Sequence, residues 1–214
     1  MTASTPLPDN GAVGEKPALI SVLTELVPRG ARVLDVGCGD GTLLQALKIL
    51  CAVRGQGLEL APAKVAACVS RGLSVVQGDA DTDLADYPDQ SFEVVILTQT
   101  IQAMRAPLAV LDQSLRIGQR VIVSMPNFAH WALRLSFVTS GRMPRSAALP
   151  TEWFETENIH LCTIRDFIAL CTDHQIHIDA AFAGSSTRAL KPFDARRVGA
   201  TNLIAREGLF VLTR

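Results

Sequence analysis

Short apolar segments alternate with helical patterns along the first part of this chain. Residues 17–27 place apolar side chains at helical spacing, after a proline that suits a first helical position. The apolar runs that follow lack strict alternation, which is typical of strands buried on both faces of a sheet. The pattern predicts strands at Arg32–Val36, Arg54–Leu60, Leu73–Gln77, Phe92–Leu97 and Arg120–Ser124, and helices at Thr42–Leu50, Pro62–Ser70 and 107–116.

The order of these elements predicts an α/β fold of the Rossmann-like, doubly wound type. Strand–helix–strand units with right-handed crossovers build a mostly parallel sheet with helices on both faces. The alternation stops after Ser124, so residues of about 126–162 are expected to form a helical insertion or lid after the fifth strand. A helix at Thr163–Asp173 and strands at 176–182 and 208–213 complete a predicted seven-stranded sheet, with a long polar loop over 184–201.

The charge, the N-terminal segment and the cysteines narrow the class of protein. The formal net charge is −1, with 20 basic and 21 acidic residues, so neither nucleic acid nor a membrane surface is an expected partner. Residues 1–15 predict a flexible tail before a single domain at 16–214. No signal-peptide pattern or long apolar run is present, and we expect a cytoplasmic protein. The cysteines lack zinc-like spacing and are expected to be reduced thiols, with no metal bound: Cys38, Cys51, Cys68, Cys162 and Cys171.

A glycine-rich turn, DVGCGDG, follows the first predicted strand. Gly37, Gly39 and Gly41 stand at alternate positions before a helix. Glycine lets the backbone turn sharply and approach a ligand, and the first N–H groups of a helix bind polar ligands. Asp35 would repel a pyrophosphate but attract the ammonium of an amino-acid moiety, directly or through water. The turn therefore favours a ligand with an amino-acid part over NAD or FAD, although a tight turn without a ligand has the same pattern.

Two acidic residues follow the next two predicted strands. Glu59 closes the second strand, where a carboxylate accepts hydrogen bonds from ribose hydroxyls; a solvated strand end is the alternative. Asp79 follows the third strand, where it can accept from an adenine amino group, and Ala80 lets the ring lie close. Alone, that segment also fits an ordinary turn. Because the carboxyl ends of parallel strands meet at one edge, we expect these residues to share one crevice.

This constellation resembles the class I methyltransferases that use S-adenosylmethionine (SAM). The resemblance covers about residues 17–125 and implies that SAM or S-adenosylhomocysteine (SAH) binds at this edge. It implies that the three glycines surround the methionine part, with Glu59 at the ribose and Asp79 at the adenine. The fold by itself does not settle an activity. The expected cofactor-binding residues are Asp35, Gly37, Cys38, Gly39, Gly41, Glu59, Leu60, Asp79, Ala80 and Gln99.

A narrower resemblance extends through the insertion. The runs LDVGCGDGTLL, VSMPNFAHWALRL, GRMP, ALPTEW and ENIHLCTIRDF are similar to the MetW family of methionine biosynthesis proteins, over about residues 17–175. This resemblance implies a cytosolic protein that works with a homoserine O-acyltransferase in methionine synthesis. It does not imply a particular methyl acceptor. The sequence diverges from the family after about residue 184, so nothing is carried over there.

The insertion has its own composition. From Gln113 to Thr151 there is no Asp, Glu or Lys, yet there are five arginines, and aromatic residues gather there and just beyond. This composition is typical of a protein interface, and it also fits an arginine face over a small apolar core. Read as a helix, residues 130–139 carry two adjacent apolar stripes, and we expect part of this surface to dock a protein partner. The stripes are Trp131, Leu135 and Val138, and Leu133 and Phe137, with Arg134 and Arg142 at the rim.

Two functions remain open at this point. The first is a SAM-binding accessory subunit of a homoserine O-acyltransferase. In this case the chain could also form a homodimer. The second is an active methyltransferase on an unidentified small molecule, with the insertion as lid. After the fourth strand, Gln99 and Gln102 can bind a ligand but cannot deprotonate one, which weakens transfer to nitrogen. No catalytic residue is assigned: His130 and His160 are candidates for a general base, and a structural role is the simpler explanation for both.

Overall fold

The computed structural model describes residues 17–145, 152–156, 159–185 and 187–214. The predicted flexible tail at 1–15 therefore lies outside the described residues. The chain forms a single eight-stranded sheet in the order β3-β2-β1-β4-β5-β8-β6-β7. The strands are β1 (Arg32–Val36), β2 (Arg54–Glu59), β3 (Ser74–Gln77), β4 (Phe92–Thr98), β5 (Gly118–Pro126), β6 (His177–Ser185), β7 (Ala189–Pro192) and β8 (Glu207–Thr213).

The first five strands run parallel, as the sequence predicted. Strand β8 inserts antiparallel between β5 and β6, so the sheet is mixed at that end. The parallel half places the carboxyl ends of β1, β2, β3 and β4 along one edge. Ligands of open α/β sheets bind at this edge, where the strand order reverses between β1 and β4.

The prediction of seven strands is wrong by one, because β7 lies within the range predicted to be a polar loop. Strand β7 is the edge strand at this end and, among the described residues, pairs only with β6, through Ala189 opposite Ser185 and Pro192 opposite Phe182. Its side chains are mostly exposed, so burial imposes no apolar pattern on its sequence. The same range also holds a short helix, α8 (Gly199–Ile204).

Apart from the four-residue α4, which the sequence did not predict, the remaining helices agree with the predicted pattern to within a residue or two at their ends. Helix α3 carries its proline at the first position, where the missing N–H costs nothing. Helix α7 begins with a capping box in which Thr163 and Asp166 exchange hydrogen bonds. The helices are α1 (Pro17–Leu26), α2 (Thr42–Cys51), α3 (Pro62–Ser70), α4 (Ala80–Asp83), α5 (Pro107–Ile117), α6 (Trp131–Ser140) and α7 (Ile164–Asp173).

The central strands are buried on both faces, as a doubly wound sheet requires. In β4, Val94 and Ile96 pack with side chains of α1 and α2. Their neighbours Val95 and Leu97 pack on the opposite face with side chains of α5 and α7. Among the described residues, no helix has the length and apolar character needed to cross a membrane.

Candidate functional site

The glycine turn that the sequence predicted has a left-handed backbone at all three glycines. Gly37, Gly39 and Gly41 have φ of +69°, +59° and +79°, a region that residues with a Cβ rarely adopt. Gly37 donates its N–H to the carbonyl of Leu58 at 2.8 Å, which ties the turn to the end of β2. The turn therefore has a fixed place between β1 and α2, beside the second strand.

The three glycines are needed for different reasons. A Cβ at Gly37 would lie 2.8 Å from the hydroxyl of Thr100, and one at Gly41 would lie 2.9 Å from Sγ of Cys68. A Cβ at Gly39 would meet no atom within 4 Å. Gly41 thus makes room for the protein's own packing, whereas the space at Gly39 is left open.

Glu59 lies at the end of β2 and holds the glycine turn directly. Its Oε2 accepts a hydrogen bond from the N–H of Gly39 at 2.8 Å, and its Oε1 accepts one from the N–H of Ala61 at 2.9 Å. The side chain is buried. Each carboxylate oxygen keeps further acceptor capacity, so a ligand hydroxyl can bind to the same group.

Asp35 is buried beneath the turn, with a relative exposure of 1%. Among the described residues, neither of its carboxylate oxygens has a hydrogen-bond partner. Burial, with a smaller contribution from the charge of Glu59, raises the pKa of Asp35 to about 7. A buried carboxyl without a partner is costly, and such a group calls for a bound proton, a water or a cation.

Asp79 occupies the predicted place after β3, but the structure gives its side chain two further partners. Its Oδ1 accepts from the N–H of Asp81 at 3.0 Å, which caps α4. Its Oδ2 pairs with the guanidinium of Arg105, which also contacts Asp81. Asp81 accepts from the backbone N–H groups of Arg105 and Ala106 as well, and hydrogen bonding from these groups lowers its pKa against the opposing effect of burial.

These side chains surround a cavity of about 560 Å³ at the carboxyl edge of the sheet. The cavity is large enough for a nucleoside-sized ligand. Of the residues predicted from sequence, those that line it are Gly37, Glu59, Leu60, Asp79, Ala80 and Gln99. Four predicted residues do not line it: Asp35 is buried, the Cys38 thiol packs against Cys68 at 3.9 Å, and Gly39 and Gly41 belong to the turn but are not among the lining residues.

The cavity has further lining residues that the sequence reasoning missed. They lie in the last residues of β2 and β4 or in the segments that follow β2, β3 and β4, so extending each predicted strand end by a few residues would have found most of them. Lys64 and Arg105 place two cations at the wall, and the latter reaches it from the segment before α5. The missed residues are Leu58, Ala61, Lys64, Gly78, Asp81, Thr98, Thr100, Ala103, Met104 and Arg105.

Gln99 follows β4 with φ of +55°, a strained conformation for a residue with a Cβ. Two hydrogen bonds hold it there: its N–H donates to Ser124 O at 2.8 Å, and its carbonyl accepts from Gln102 Nε2 at 2.8 Å. Gln102 itself is buried and does not line the cavity. Strain of this kind is concentrated at functional sites, so Gln99 remains a candidate ligand contact.

The histidines of the insertion do not join this cavity. His130 is buried as the N-cap of α6, where its Nδ1 accepts the N–H of Ala132 at 3.2 Å. Burial, and secondarily the charge of Arg206, lowers its pKa. His160 is exposed, and burial raises the pKa of the Cys162 thiol to about 11, which argues against a reactive thiolate. Asn158, which lies in one of the family-like runs, falls outside the described residues.

Comparison with known proteins assigns the chain to a sequence family. The family described as methionine biosynthesis protein MetW matches residues 18–212. A relative from Rhodopirellula baltica, named bifunctional methionine biosynthesis protein MetXA/MetW, is 34% identical over 166 residues. That match covers 73% of this chain and 27% of the relative, so the chain spans about a quarter of the relative's length.

Solved structures share the fold of this chain. A SAM-dependent methyltransferase from Thermotoga maritima has a TM-score of 0.67 at 15% identity, covering 92% of this chain and 87% of that one. The [4+2]-cyclase SpnF has a TM-score of 0.64 at 16% identity, covering 92% and 80%. At these identities the likeness shows the fold alone, and the cyclase illustrates that this fold hosts more than one chemistry.

Proposed function

Because the chain belongs to the MetW family of methionine biosynthesis proteins, we propose that it binds SAM and assists a homoserine O-acyltransferase. The observation that carries the first half is the cavity at the carboxyl edge. There the glycine turn, Glu59 and Asp79 converge from three consecutive strand ends. Six of the ten residues that the sequence suggested for SAM line this one space, which is of suitable size.

The residues present fit the chemical parts of SAM. Glu59 is placed to accept the ribose hydroxyls while it holds Gly39. Asp79 offers an acceptor to the adenine amino group, and Leu60, Ala80 and Met104 supply apolar surface for the ring. The methionine part would lie along the turn at Gly37. The unpaired carboxyl of Asp35 beneath that turn suits an ammonium nearby, reached directly or through water.

The accessory role is supported by the Rhodopirellula baltica relative. In that protein a MetW part and a MetXA part share one chain, and fusion of two activities favours their cooperation in one process. We take MetXA to be a homoserine O-acyltransferase, and we propose that this chain binds such an enzyme as a separate subunit. Its five free cysteines, four of them buried, suit the reducing cytoplasm in which methionine is made.

A second candidate function is methyl transfer to a small molecule, and the strained Gln99 at the cavity wall favours it. A residue held at φ +55° beside the cofactor cavity is placed to orient an acceptor. Incubation with methyl-labelled SAM and cell extract tests this: label transferred to a small molecule supports it.

Co-purification tests the accessory proposal. The tagged chain, expressed in its own host, should retain the homoserine O-acyltransferase, and adding the chain should raise the rate of homoserine acylation. An acyltransferase that neither binds the chain nor responds to it would contradict this half of the proposal. SAM binding is measured separately, so the two halves can fail independently.

A further inference from the structure

Helix α6 presents apolar side chains to solvent instead of to the sheet. Trp131, Leu135 and Val138 have relative exposures of 51%, 53% and 81%. At i, i+4 and i+7 they form one stripe, which we call the α6 face. Leu133 points away from that stripe and is the only buried residue of the helix. The helix is thus anchored by one side chain, and its wider apolar surface is uncovered.

The helix is positioned firmly even though it is sparsely packed. Its N-cap His130 is buried, and Arg134 Nε donates to the carbonyl of Ala129 at 2.7 Å. At the other end Gly141, with φ of +64°, donates its N–H to the carbonyl of Phe137 at 2.8 Å. A preorganised helix with exposed aromatic and aliphatic side chains loses little entropy when a partner covers it.

Helix α6 and the segment that follows it, up to Arg145, carry positive charges only. Arg134 and Arg142 are both exposed, and neither has an acidic partner among the described residues. The sequence from Gln113 to Thr151 contains no acidic residue. An apolar stripe with a cationic rim is complementary to an apolar patch edged by carboxylates.

This charge pattern decides between two occupants. A second copy of the chain, paired through the α6 face about a two-fold axis, would bring the arginines of both copies together. The helix itself, WALRLSFVTS, supplies no acid to separate them. A different protein with acidic groups avoids this repulsion, and the fused relative shows which protein is kept beside a MetW part.

We infer that the α6 face is the surface on which the homoserine O-acyltransferase docks, with Trp131 and Val138 as central contacts and the arginines at the rim. This inference rests on the proposed partnership, and it specifies which surface of the chain the acyltransferase contacts. It predicts that an acidic-rimmed apolar patch on the acyltransferase covers α6, while the cavity at the carboxyl edge stays available to SAM.

The test compares binding of matched variants to the purified homoserine O-acyltransferase of the same organism by calorimetry. Val138→Asp places a charge on the α6 face, and Trp131→Ala removes its largest side chain. Val69→Asp is the control, since Val69 is 60% exposed in the last turn of α3, away from α6. Circular dichroism and SAM binding establish that each variant is folded.

We expect Val138→Asp and Trp131→Ala each to weaken binding at least about tenfold, and Val69→Asp to change it less than about twofold. If both α6 variants bind as the wild type does, the docking site is wrong and the partnership stands. If the wild type does not bind the acyltransferase at all, the partnership itself fails, and this inference with it. A wild-type dimer in analytical ultracentrifugation that Val138→Asp dissociates would assign the face to a second copy and overturn the inference.

Discussion

Glu59 Oε2 accepts a hydrogen bond from the backbone N–H of Gly39 at 2.8 Å, so one carboxylate shapes the glycine turn and faces the cavity. The turn and the end of β2 are therefore one structural unit. Binding of a ligand to Glu59 is therefore coupled to the conformation of the glycine turn. Substitution of Glu59 separates these two roles, because glutamine keeps one acceptor oxygen and alanine keeps none.

We predict that Glu59→Ala destabilises the chain by about 1–3 kcal/mol, because the N–H groups of Gly39 and Ala61 lose their acceptor. Glu59→Gln should cost less stability and still weaken SAM binding about tenfold or more, since the ribose loses a charged acceptor. Urea unfolding and calorimetric titration measure the two effects. Equal SAM affinity in wild type and Glu59→Gln would remove Glu59 from the site.

Gly39 has a matched control in Gly30. Both have positive φ, +59° and +75°, and a Cβ at either would meet no atom within 4 Å. Valine at either position should therefore cost about 1–3 kcal/mol through backbone strain. Only Gly39→Val should also abolish SAM binding, because Gly39 is held by Glu59 in the turn whose Gly37 lines the cavity, whereas Gly30 lies in another turn. Normal SAM binding by folded Gly39→Val would show that the site lies elsewhere.

Arg105 forms an ion pair with Asp79, the carboxylate that we propose binds the adenine amino group. The backbone N–H of Arg105 donates to Asp81, and this hydrogen bond does not depend on the arginine side chain. Loss of the guanidinium should therefore leave the backbone in place. Arg105→Ala should therefore tighten SAM binding about two- to fivefold by freeing Asp79. Arg214→Ala, which removes another exposed, ion-paired arginine outside the cavity wall, is the control and should change nothing. A tenfold loss of affinity in Arg105→Ala would mean that Arg105 binds the ligand itself.

The pH dependence of stability follows from Asp35. Burial raises its pKa to about 7, from an ordinary value of about 4 in the unfolded chain. Between about pH 4 and 7 the folded chain therefore holds a proton that the unfolded chain has lost. The contribution of this group to the free energy of unfolding is largest below about pH 4, declines as the pH rises to about 7, and is level above that.

Asp35→Asn removes the titrating group, so the folded and unfolded chains no longer differ in protonation at position 35. We predict that its free energy of unfolding changes less between pH 5 and 8 than that of the wild type, measured by urea titration at several pH values. Asp112→Asn, at a half-exposed surface carboxylate, should keep the wild-type dependence. Parallel curves for wild type and Asp35→Asn would show that Asp35 ionises as an ordinary carboxyl.

The parallel half of the sheet was predictable because each of its elements carries a local pattern that burial requires. Strands such as β4 must be apolar on both faces, and the glycine turn needs residues without a Cβ. Strand β7 escaped prediction because an exposed edge strand is constrained mainly by its pairing with β6, which leaves no mark in local sequence. The same applies to α8, which is only six residues long.

The candidate site was predicted where it depends on strand ends and missed where it depends on tertiary contact. Glu59 and Asp79 follow strands, so topology alone brings them together. Arg105 reaches Asp79 across 26 positions of sequence, and Thr100 fills the space that Gly37 leaves. No spacing rule predicts such pairs. Asp35 and Gly41, whose motif positions predict ligand contact, do not line the cavity: Asp35 is buried, and a Cβ at Gly41 would meet Leu73 and Cys68.

The central claim is that this chain holds SAM in the cavity of Glu59 and Asp79, and calorimetric titration of the purified wild type with SAM and SAH tests it most directly. The account predicts one saturable site per chain for each compound, with SAH displacing SAM, and a rise in melting temperature as either ligand saturates the folded state. Absence of both heat of binding and thermal stabilisation at millimolar concentrations of either compound would contradict it.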